Sequence, residues 1–210
     1  MEPTVRSLRT RELRSASRLL AGAFADDPFI RHFLRDRRRR EVAFPRFFRA
    51  ALHELAGAGT VFGLEADGVL AGVAAWAPPE VAAIGRRSHF LARFASLEVR
   101  ALFPRAAPRL LAGFAELGEN HPPERHWYLA FVGIDPRQQR RGLGRTLLAP
   151  IIERADDAGI ACYLETPFSK TRVFYRRLGF EDTDELHPVA GAPTIWTMTR
   201  PAAPHRTGHR

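Results

Sequence analysis

The chain is poor in cysteine, lysine and long hydrophobic runs, and each shortage excludes a class of protein. Cys162 is the only cysteine among 210 residues, so no intramolecular disulfide can form. A single cysteine is typical of a reducing compartment, and we therefore expect a cytoplasmic protein. No apolar run approaches the ~20 residues that a membrane-spanning helix requires, which predicts no membrane partner. No apolar signal core follows Met1, so we do not expect export.

The charge of the chain comes almost wholly from arginine. The formal net charge is +9, and Lys170 is the only lysine. A basic protein can bind nucleic acid, anionic lipid or a phosphate-rich ligand. The arginines at 37–40 and the basic tail at 201–210 are candidates for the first two, but basic and aromatic residues do not alternate as they do in single-strand binders. We expect a solvated helix start, a flexible tail and no nucleic-acid partner.

The order of the predicted elements indicates an α/β fold. Ala66-Asp67-Gly68 is typical of a hairpin turn between two strands. Strands are predicted over 4–8, 60–65, 69–76, 127–134, 160–165, 181–187 and 194–200. Helices are predicted over 9–24, from Phe29, over 39–56, over 82–117 with breaks at Pro104 and Pro108, and over 142–158 and 169–178. We expect one mixed, mostly antiparallel twisted sheet flanked by helices.

The most informative stretch follows the strand 127–134 and contains Gln139-Arg-Arg-Gly142-Leu-Gly144. Backbone N–H groups at a helix N-terminus bind anions, and two glycines let a phosphate approach the backbone. Three arginines oppose the helix dipole there by roughly 0.3–1 kcal/mol each unless an anion binds, namely Arg140, Arg141 and Arg145. The stretch fits neither the dinucleotide fingerprint, since Leu147 stands where its third glycine would be, nor the P-loop. We therefore predict a pyrophosphate site of another kind.

Gly133 is a second indication of a binding site. It interrupts an apolar strand, where a glycine often marks a bulge or the close approach of a ligand. A bend at Gly133 would separate this strand from its parallel neighbour at 160–165. The backbone groups of Val132 and Ile134 would then be free to bind a ligand, so we predict a splayed parallel strand pair.

The helix at 169–178 carries a third indication. Thr171 and Tyr175 are four residues apart and therefore share one face of the helix. Phe174 and Leu178 lie on the other face and are predicted to be core residues. Cys162 lies within the apolar strand that precedes this helix, so we predict a packing role for it and no nucleophilic role.

These segments together resemble the GNAT superfamily of acetyl-CoA-dependent N-acetyltransferases. The resemblance rests on the Gln139 to Gly144 motif after a Val-Gly-Ile-Asp-Pro strand, and on Phe174-Tyr-Arg-Arg-Leu-Gly-Phe180. The chain also resembles the puromycin N-acetyltransferase branch of this superfamily. Comparable stretches occur there in the same order, namely His126-Trp-Tyr-Leu-Ala-Phe-Val-Gly-Ile134, Tyr163-Leu-Glu-Thr166 and Trp196-Thr-Met-Thr-Arg200. The strong match covers 127–200, whereas the first half matches loosely.

The resemblance implies acetyl-CoA as the cofactor and one domain over 1–200, with the cofactor half at about 126–200 and acceptor-site elements at about 20–120. Its cofactor contacts would be Val132, Gly133, Ile134, Gln139, Arg140, Arg141, Gly142, Leu143, Gly144, Arg145, Thr171 and Tyr175. Many relatives carry asparagine where Thr171 stands. The amine attacks the thioester directly in this family, so a catalytic cysteine or serine is not expected. Tyr175 would protonate the departing thiolate, because a phenol of pKa ~10 stays protonated at neutral pH.

The acceptor side is less defined by the resemblance. Glu165, at the carboxyl end of its strand, could bind or deprotonate the amine, with Asp26 and Asp27 as alternatives and Trp127 as a further contact. No metal site is expected. The prediction is acetyl transfer to a primary amine of a small molecule, such as an antibiotic or related metabolite, with antibiotic resistance as one such role. A protein or peptide acetyltransferase and a non-catalytic acyl-CoA-binding module remain alternatives, and monomer or homodimer is open.

Overall fold

The computed structural model describes residues 2–82 and 96–203. Within them the strands are β1 Thr4–Ser7, β2 Val61–Ala66, β3 Val69–Ala77, β4 His126–Ile134, β5 Ala161–Thr166, β6 Glu181–Leu186 and β7 Ile195–Arg200. The helices with a defined span are α1 Leu13–Ala23, α2 Pro28–Phe33, α3 Arg37–Ala56, α4 Ser96–Leu102, α5 Ala107–Glu119, α6 Leu143–Ala158 and α7 Ser169–Arg176. Short 3-10 turns cover Thr10–Glu12 and Pro136–Gln138.

The described strands form one sheet in the order β1-β2-β3-β4-β5-β7-β6. Every neighbouring pair is antiparallel except β4 and β5, which run parallel. The mixed, mostly antiparallel α/β fold is therefore confirmed. The β2–β3 hairpin turns through Asp67 and Gly68, whose φ angles of 52° and 75° fit the left-handed turn that this sequence predicts.

The sheet separates two hydrophobic clusters. The first packs α1, α3 and α5 against one face, and the second packs α6 and α7 against the other. Successive side chains of a strand point to opposite faces, so Tyr128 joins the first cluster and Trp127 the second. Cys162 is fully buried in the second cluster, and burial raises the pKa of its thiol to about 12. The packing role predicted for Cys162 is confirmed.

The parallel pair opens into a wedge. β4 and β5 pair only through their first residues, from His126 opposite Ala161 to Tyr128 opposite Tyr163. Beyond this point β4 continues along β3, while β5 continues along β7. The register of β4 against β3 shifts between Ala75 and Trp76, which leaves one extra residue in β4. A bulge of this kind bends a strand, and here it coincides with the parting of the pair.

The sequence predicts this bend at Gly133, and that prediction is wrong. The register places the extra residue at Ala130, whereas Gly133 pairs regularly with Val73. A Cβ atom on Gly133 would lie 2.8 Å from the Cβ of Ala23 and 3.1 Å from Cδ2 of Leu20. The missing side chain therefore allows α1 to pack closely on β4.

Other boundaries differ by a few residues. The helical region predicted at 82–117 contains α4 and α5, separated at 103–106, and its residues 83–95 lie outside the described part. Pro45 is inside α3, beyond its first turns. Most of the predicted tail, from residue 204, also lies outside the described residues. Across 2–82 and 96–203, no helix has the length and apolar character needed to cross a membrane.

Candidate active site

A cavity of about 740 Å³ occupies the wedge between β4 and β5. It is lined by the diverging halves of both strands, the loop before α6, one side of α7 and the end of α1. The splay creates it, because two strands that remain paired leave no gap between their backbones. The carboxyl ends of both parallel strands therefore border one cleft.

The loop before α6 presents a row of backbone donors. In the described part of the chain, the N–H groups from Gln139 to Gly144 have no intramolecular acceptor. Arg140 and Gly142 adopt left-handed φ angles of 64° and 77°. Such residues turn successive N–H groups toward one side and form an anion-binding concavity. Gly142 also caps α6, so the positive end of the helix dipole adds to the field.

The two glycines of this loop serve different purposes. Gly142 has open space around its Cα, so its requirement is conformational: a φ of 77° is costly for other residues. Gly144 has ordinary helical geometry, but a Cβ atom there would lie 3.0 Å from Cζ of Phe174. Gly144 therefore lets the Phe174 ring of α7 pack against the start of α6, which narrows the cleft.

The structure separates the three arginines predicted near the phosphate. Arg140 lines the cavity and has no ion pair among the described residues. The Arg141 guanidinium binds Asp67 in the β2–β3 turn at 3.0 Å and also contacts Gln138. Arg145 is exposed on α6 and does not line the cavity. Of these three arginines, Arg140 alone both lines the cavity and lacks an ion pair among the described residues.

The backbone of β4 also faces the cleft. The N–H of Asp135 donates to the carbonyl of Ala71 at 2.8 Å, so the alternating ladder directs Gly133 toward β3. The backbone groups of Val132 and Ile134 then point to the opposite edge, from which β5 has separated. The Gln139 side chain donates to the Ile134 carbonyl at 3.3 Å across this edge. These are the strand groups that the sequence predicts to be available for a ligand.

Tyr175 lies on the cavity wall formed by α7. Its ring packs between Phe174 and Phe180, at centroid distances of 5.1 and 5.8 Å. Burial raises the pKa of its phenol above the ordinary value, so the hydroxyl keeps its proton at neutral pH. Among the described residues its hydroxyl has no hydrogen-bond partner. Phe174 lines the same cavity, although the sequence predicts it on the opposite, core-facing side.

Thr171 also lines the cavity, but its hydroxyl belongs to a local network. It donates to the carbonyl of Phe168 at 2.8 Å and lies 2.8 Å from the hydroxyl of Thr166. The N–H of Phe168 in turn donates to Thr166 at 3.2 Å. These three bonds close a ring that fixes the connection from β5 to α7. The network gives Thr171 a positioning role for α7, whereas its predicted contact with the cofactor stays a prediction.

The Glu165 carboxylate lies in the acceptor half of the cavity, with its side chain only 8% exposed. It accepts hydrogen bonds from the hydroxyls of Tyr128 and Tyr163 at 3.1 and 3.2 Å, and Nε2 of His121 lies 3.3 Å from it. Burial raises the phenol pKa of both tyrosines, and the nearby charge of the Glu165 carboxylate raises it further. Their hydroxyls therefore stay protonated and act as donors. The arrangement holds a buried charge with three polar partners.

Sequence reasoning missed these three partners of Glu165. Tyr163 is two residues before Glu165 on the same face of β5, so strand periodicity is a signal that could have found it. Tyr128 and His121 come from β4 and the loop after α5, and no local pattern links them to Glu165. His126 lies beside His121, with ring centroids 5.5 Å apart, and its burial lowers the pKa of its imidazole.

The two neighbouring aspartates have different positions. Asp27 is buried, lines the cavity and caps α2 by accepting from the N–H of Ile30 at 2.9 Å. Burial raises the pKa of its carboxyl from 3.8 to about 6. Asp26 has a side chain that is 79% exposed, pairs with Arg31 and does not line the cavity. The turn before α2 directs Asp26 to solvent and away from the cavity, and its contact with the acceptor stays a prediction.

Trp127, which the sequence also predicts as an acceptor contact, lies away from the acceptor half of the cavity, and that contact stays a prediction. Trp127 is 4% exposed and belongs to the second hydrophobic cluster, where the guanidinium of Arg154 lies 5.2 Å from its ring centroid. Trp127 and Tyr128 are adjacent in β4, so their side chains point to opposite faces of the sheet, and that of Tyr128 points to the acceptor face. The alternation of β4 therefore explains the difference.

The acceptor half continues into a smaller space of about 100 Å³. Seven phenylalanine rings line it, and we call them the phenylalanine cage: Phe24, Phe29, Phe44, Phe47, Phe48, Phe114 and Phe131. The rings come from α1 or its end, α2, α3, α5 and β4, so the cage exists only after these elements have packed. Asp27 and Glu165 lie on its border with the larger cavity.

The splayed sheet and the donor-lined cleft define a single-domain GNAT acetyltransferase fold. A profile of the Acetyltransferase (GNAT) family matches residues 103–180. An uncharacterized N-acetyltransferase of Schizosaccharomyces pombe is 37% identical over 54 residues. That alignment covers 26% of this chain and 22% of the length of that protein. These matches support membership of the GNAT superfamily and an acyltransferase, while the puromycin branch stays a prediction.

Two solved structures share the whole architecture. A Corynebacterium glutamicum structure described as histone acetyltransferase HPA2 and related acetyltransferase has a TM-score of 0.71 and 25% identity, covering 99% of this chain and 100% of that one. The PaiA N-acetyltransferase from Thermoplasma acidophilum, solved with coenzyme A, has a TM-score of 0.57 and 13% identity. It covers 96% of this chain and 99% of that one, and at this identity it shows the fold alone.

Proposed function

We propose that the protein is an acetyl-CoA-dependent N-acetyltransferase that acts on a primary amine of a small molecule. One observation carries the proposal: a protonated Tyr175, a buried Glu165 and a row of unpaired backbone donors line the same cavity. A proton donor, a carboxylate that can take up a proton and an anion-binding loop are the parts that direct acetyl transfer requires.

The residues of the cleft fit acetyl-CoA. The unpaired N–H groups from Gln139 to Gly144 match a pyrophosphate, and the left-handed Gly142 leaves open space above the backbone. The free edge of β4 at Val132 and Ile134 offers donors and acceptors to the amide groups of a pantetheine chain. Acetyl-CoA, when bound, supplies the acetyl thioester.

Each side chain then has a defined task. Glu165 accepts a proton from the acceptor ammonium, and the two tyrosine hydroxyls and His121 keep its carboxylate oriented. The N–H of Val132, on the free edge of β4, would stabilise negative charge on a carbonyl oxygen. Tyr175 holds the proton that a departing thiolate needs, and its raised pKa keeps that proton in place at neutral pH.

The cage favours a small molecule over the lysine of a folded protein. Its walls come from several helices and strands, and the space is of the order of one side chain or one ring. The apolar group of a small amine can enter such a space, whereas the body of a folded substrate protein remains outside. Amine antibiotics and related metabolites are within this class. We place the activity in the cytoplasm because the chain has a single cysteine.

Substitution of Tyr175 by phenylalanine tests the proposal. Because the change removes one hydroxyl and keeps the ring, we expect kcat to fall by ~10²–10⁴-fold while acetyl-CoA affinity stays within about twofold. Thiol release measures turnover with a panel of primary amines, and calorimetry measures cofactor affinity. Thermal unfolding serves as the control for packing. Unchanged turnover would remove Tyr175 from the mechanism, and a failure of the wild type to bind acetyl-CoA would end the proposal.

A further inference from the structure

We infer that the acceptor is a monoamine with one aromatic ring, or a similarly compact apolar group, that enters the phenylalanine cage while its amino group lies at Asp27 and Glu165. The inference rests on the proposed function, because it names the substrate class of the same site. It concerns the part of the cavity that the cofactor does not require.

The shape of the cage supports one ring. Its volume is about 100 Å³, and it is continuous with the larger cavity through a shared wall. An apolar cavity of roughly 150 Å³ binds benzene, so a ring in this smaller space must extend partly into the larger cavity. The shared wall consists of Phe24, Asp27, Ala130, Phe131, Glu165 and Pro167. A ring in the cage thus extends toward the cleft, and a short linker brings its amino group to the two carboxylates.

The rings of the cage are arranged for contacts with another aromatic group. Phe48 and Phe131 have centroids 5.2 Å apart and an interplanar angle of 85°, and Phe24 and Phe131 are 6.2 Å apart at 82°. Edge-to-face pairs of this kind are the favourable arrangement for aromatic side chains. A guest ring packed among these side chains can make further contacts of the same kind, which a linear aliphatic chain cannot.

The polar groups of the cage specify a single amino group. Among its lining residues, only Asp27, Tyr128 and Glu165 carry polar side-chain atoms, and the Tyr128 hydroxyl already donates to Glu165. A primary ammonium has three N–H donors that need acceptors, and the two carboxylates supply them at the border. A second ammonium within the cage would meet phenyl walls and, beyond the two carboxylates, only the Tyr128 hydroxyl oxygen as an acceptor side chain, which disfavours diamines and polyamines.

An acceptor panel tests the inference. We expect kcat/KM for 2-phenylethylamine to exceed that for ethylamine by roughly 10- to 150-fold, which corresponds to burial of one apolar side chain. Putrescine and a short lysine-containing peptide should be poorer acceptors than 2-phenylethylamine. Mass spectrometry of the acetylated amine confirms the product, and thiol release from acetyl-CoA gives the rate.

Two matched variants place the specificity in the cage. Phe114→Ala removes a half-buried ring from the cage wall, so the ratio of kcat/KM for 2-(1-naphthyl)ethylamine to that for 2-phenylethylamine should rise about tenfold. Phe103→Ala removes a buried ring of the same hydrophobic cluster outside the cage, so it should leave this ratio unchanged. The ratio compares two substrates of one variant, so a loss of folded protein does not alter it.

The outcomes separate this inference from the proposed function. If putrescine, the peptide or ethylamine is acetylated as well as 2-phenylethylamine, acetyl transfer stands and the substrate class is overturned. The class is also overturned if Phe114→Ala and Phe103→Ala change the ratio equally. If no amine is acetylated, the proposed function fails. Calorimetric binding of 2-phenylethylamine in the presence of coenzyme A then decides whether the cage takes this class, and absence of binding overturns it.

Discussion

The two ends of the cleft are built in different ways. At the cofactor end the binding groups are backbone N–H groups within one short segment, from Gln139 to Gly144, and two left-handed residues hold them in place. At the acceptor end the groups are side chains, with Asp27 and Glu165 buried among rings from several elements. One end therefore depends on local backbone conformation, and the other on tertiary packing.

This difference separates two kinds of change. A substitution in the loop alters the backbone that binds a phosphate, whatever the acceptor is. A substitution in the cage alters the shape around the acceptor and leaves the donor row intact, because the cage and the loop share no residue. Cofactor affinity and acceptor choice should therefore vary independently.

The largest expected effect is at the cofactor end. Gly142→Asp forces a side chain into a φ of 77° and places a negative charge beside the phosphate-binding N–H groups. We expect acetyl-CoA affinity to fall by at least ~100-fold, measured by calorimetry, while 2-phenylethylamine still binds. Loss of both affinities would show that the two ends are not independent.

Gly59→Asp is the matched control for Gly142→Asp. Gly59 has a φ of 69° and open space around it, so the same residue is placed in the same backbone conformation, in the turn after α3. Both variants bear the conformational cost, but only Gly142→Asp adds charge at the donor row. If Gly59→Asp weakened acetyl-CoA binding equally, the effect would be one of general stability and the phosphate site would be misplaced.

At the acceptor end, Glu165→Gln should act on turnover. The change keeps the size of the side chain but removes the charge that three polar partners surround. We expect kcat/KM for the amine to fall by ~10²–10³-fold, with acetyl-CoA affinity unchanged. Steady-state kinetics with calorimetry measures both. The exposed Glu153→Gln on α6 is the control, and an equal fall in both variants would remove Glu165 from the site.

The contrast between the ends also explains what the sequence predicts. The donor loop follows from residues 139–144 alone, because glycine spacing and a helix start are local features. The fold follows because periodicity and turn residues mark most elements within a few positions. Gly133 shows the limit of local reasoning: a strand glycine fits a bulge or a close contact equally well, and only the position of α1 decides for the contact.

The acceptor end could not be predicted in the same way. The sequence identifies Glu165 and Asp27 as candidates, but their burial depends on rings and hydroxyls from distant segments. His121 reaches Glu165 from the loop after α5, and Phe114 reaches the cage from α5 itself. Asp26 and Asp27 have the same chemistry and adjacent positions, so only the geometry of the turn before α2 separates the solvated residue from the buried one.

Asp27 makes the acceptor end sensitive to pH. Its carboxyl has a pKa of about 6 in the folded protein, against an ordinary 3.8, because burial disfavours the charged form. The folded state therefore binds a proton more tightly between about pH 4 and 6, and stability falls as the pH rises through this window. A difference of about two pKa units corresponds to about 3 kcal/mol.

Asp27→Asn should remove this dependence. Asparagine keeps an oxygen that can cap α2 but has no carboxyl to ionise. Between pH 4 and pH 7, the free energy of unfolding of the wild type should fall by about 2–3 kcal/mol relative to the variant, measured by urea unfolding. Parallel pH profiles for the two proteins would contradict burial of the charged carboxylate. Acetyl-CoA affinity should not change, because the donor row is separate.

The smallest expected effect is on stability, at the contact where α1 packs on β4. Gly133→Ala would place a Cβ atom 2.8 Å from that of Ala23, so we expect a loss of about 1–2 kcal/mol in the free energy of unfolding. Gly22→Ala, in the same helix but with no atom within 4 Å of the new Cβ, should stabilise the protein by about 0.5–1 kcal/mol. Chemical denaturation measures both. Opposite signs for the two variants would support a packing role for Gly133. A gain in stability for Gly133→Ala would refute the close contact and favour a role for Gly133 in ligand access at the cofactor end.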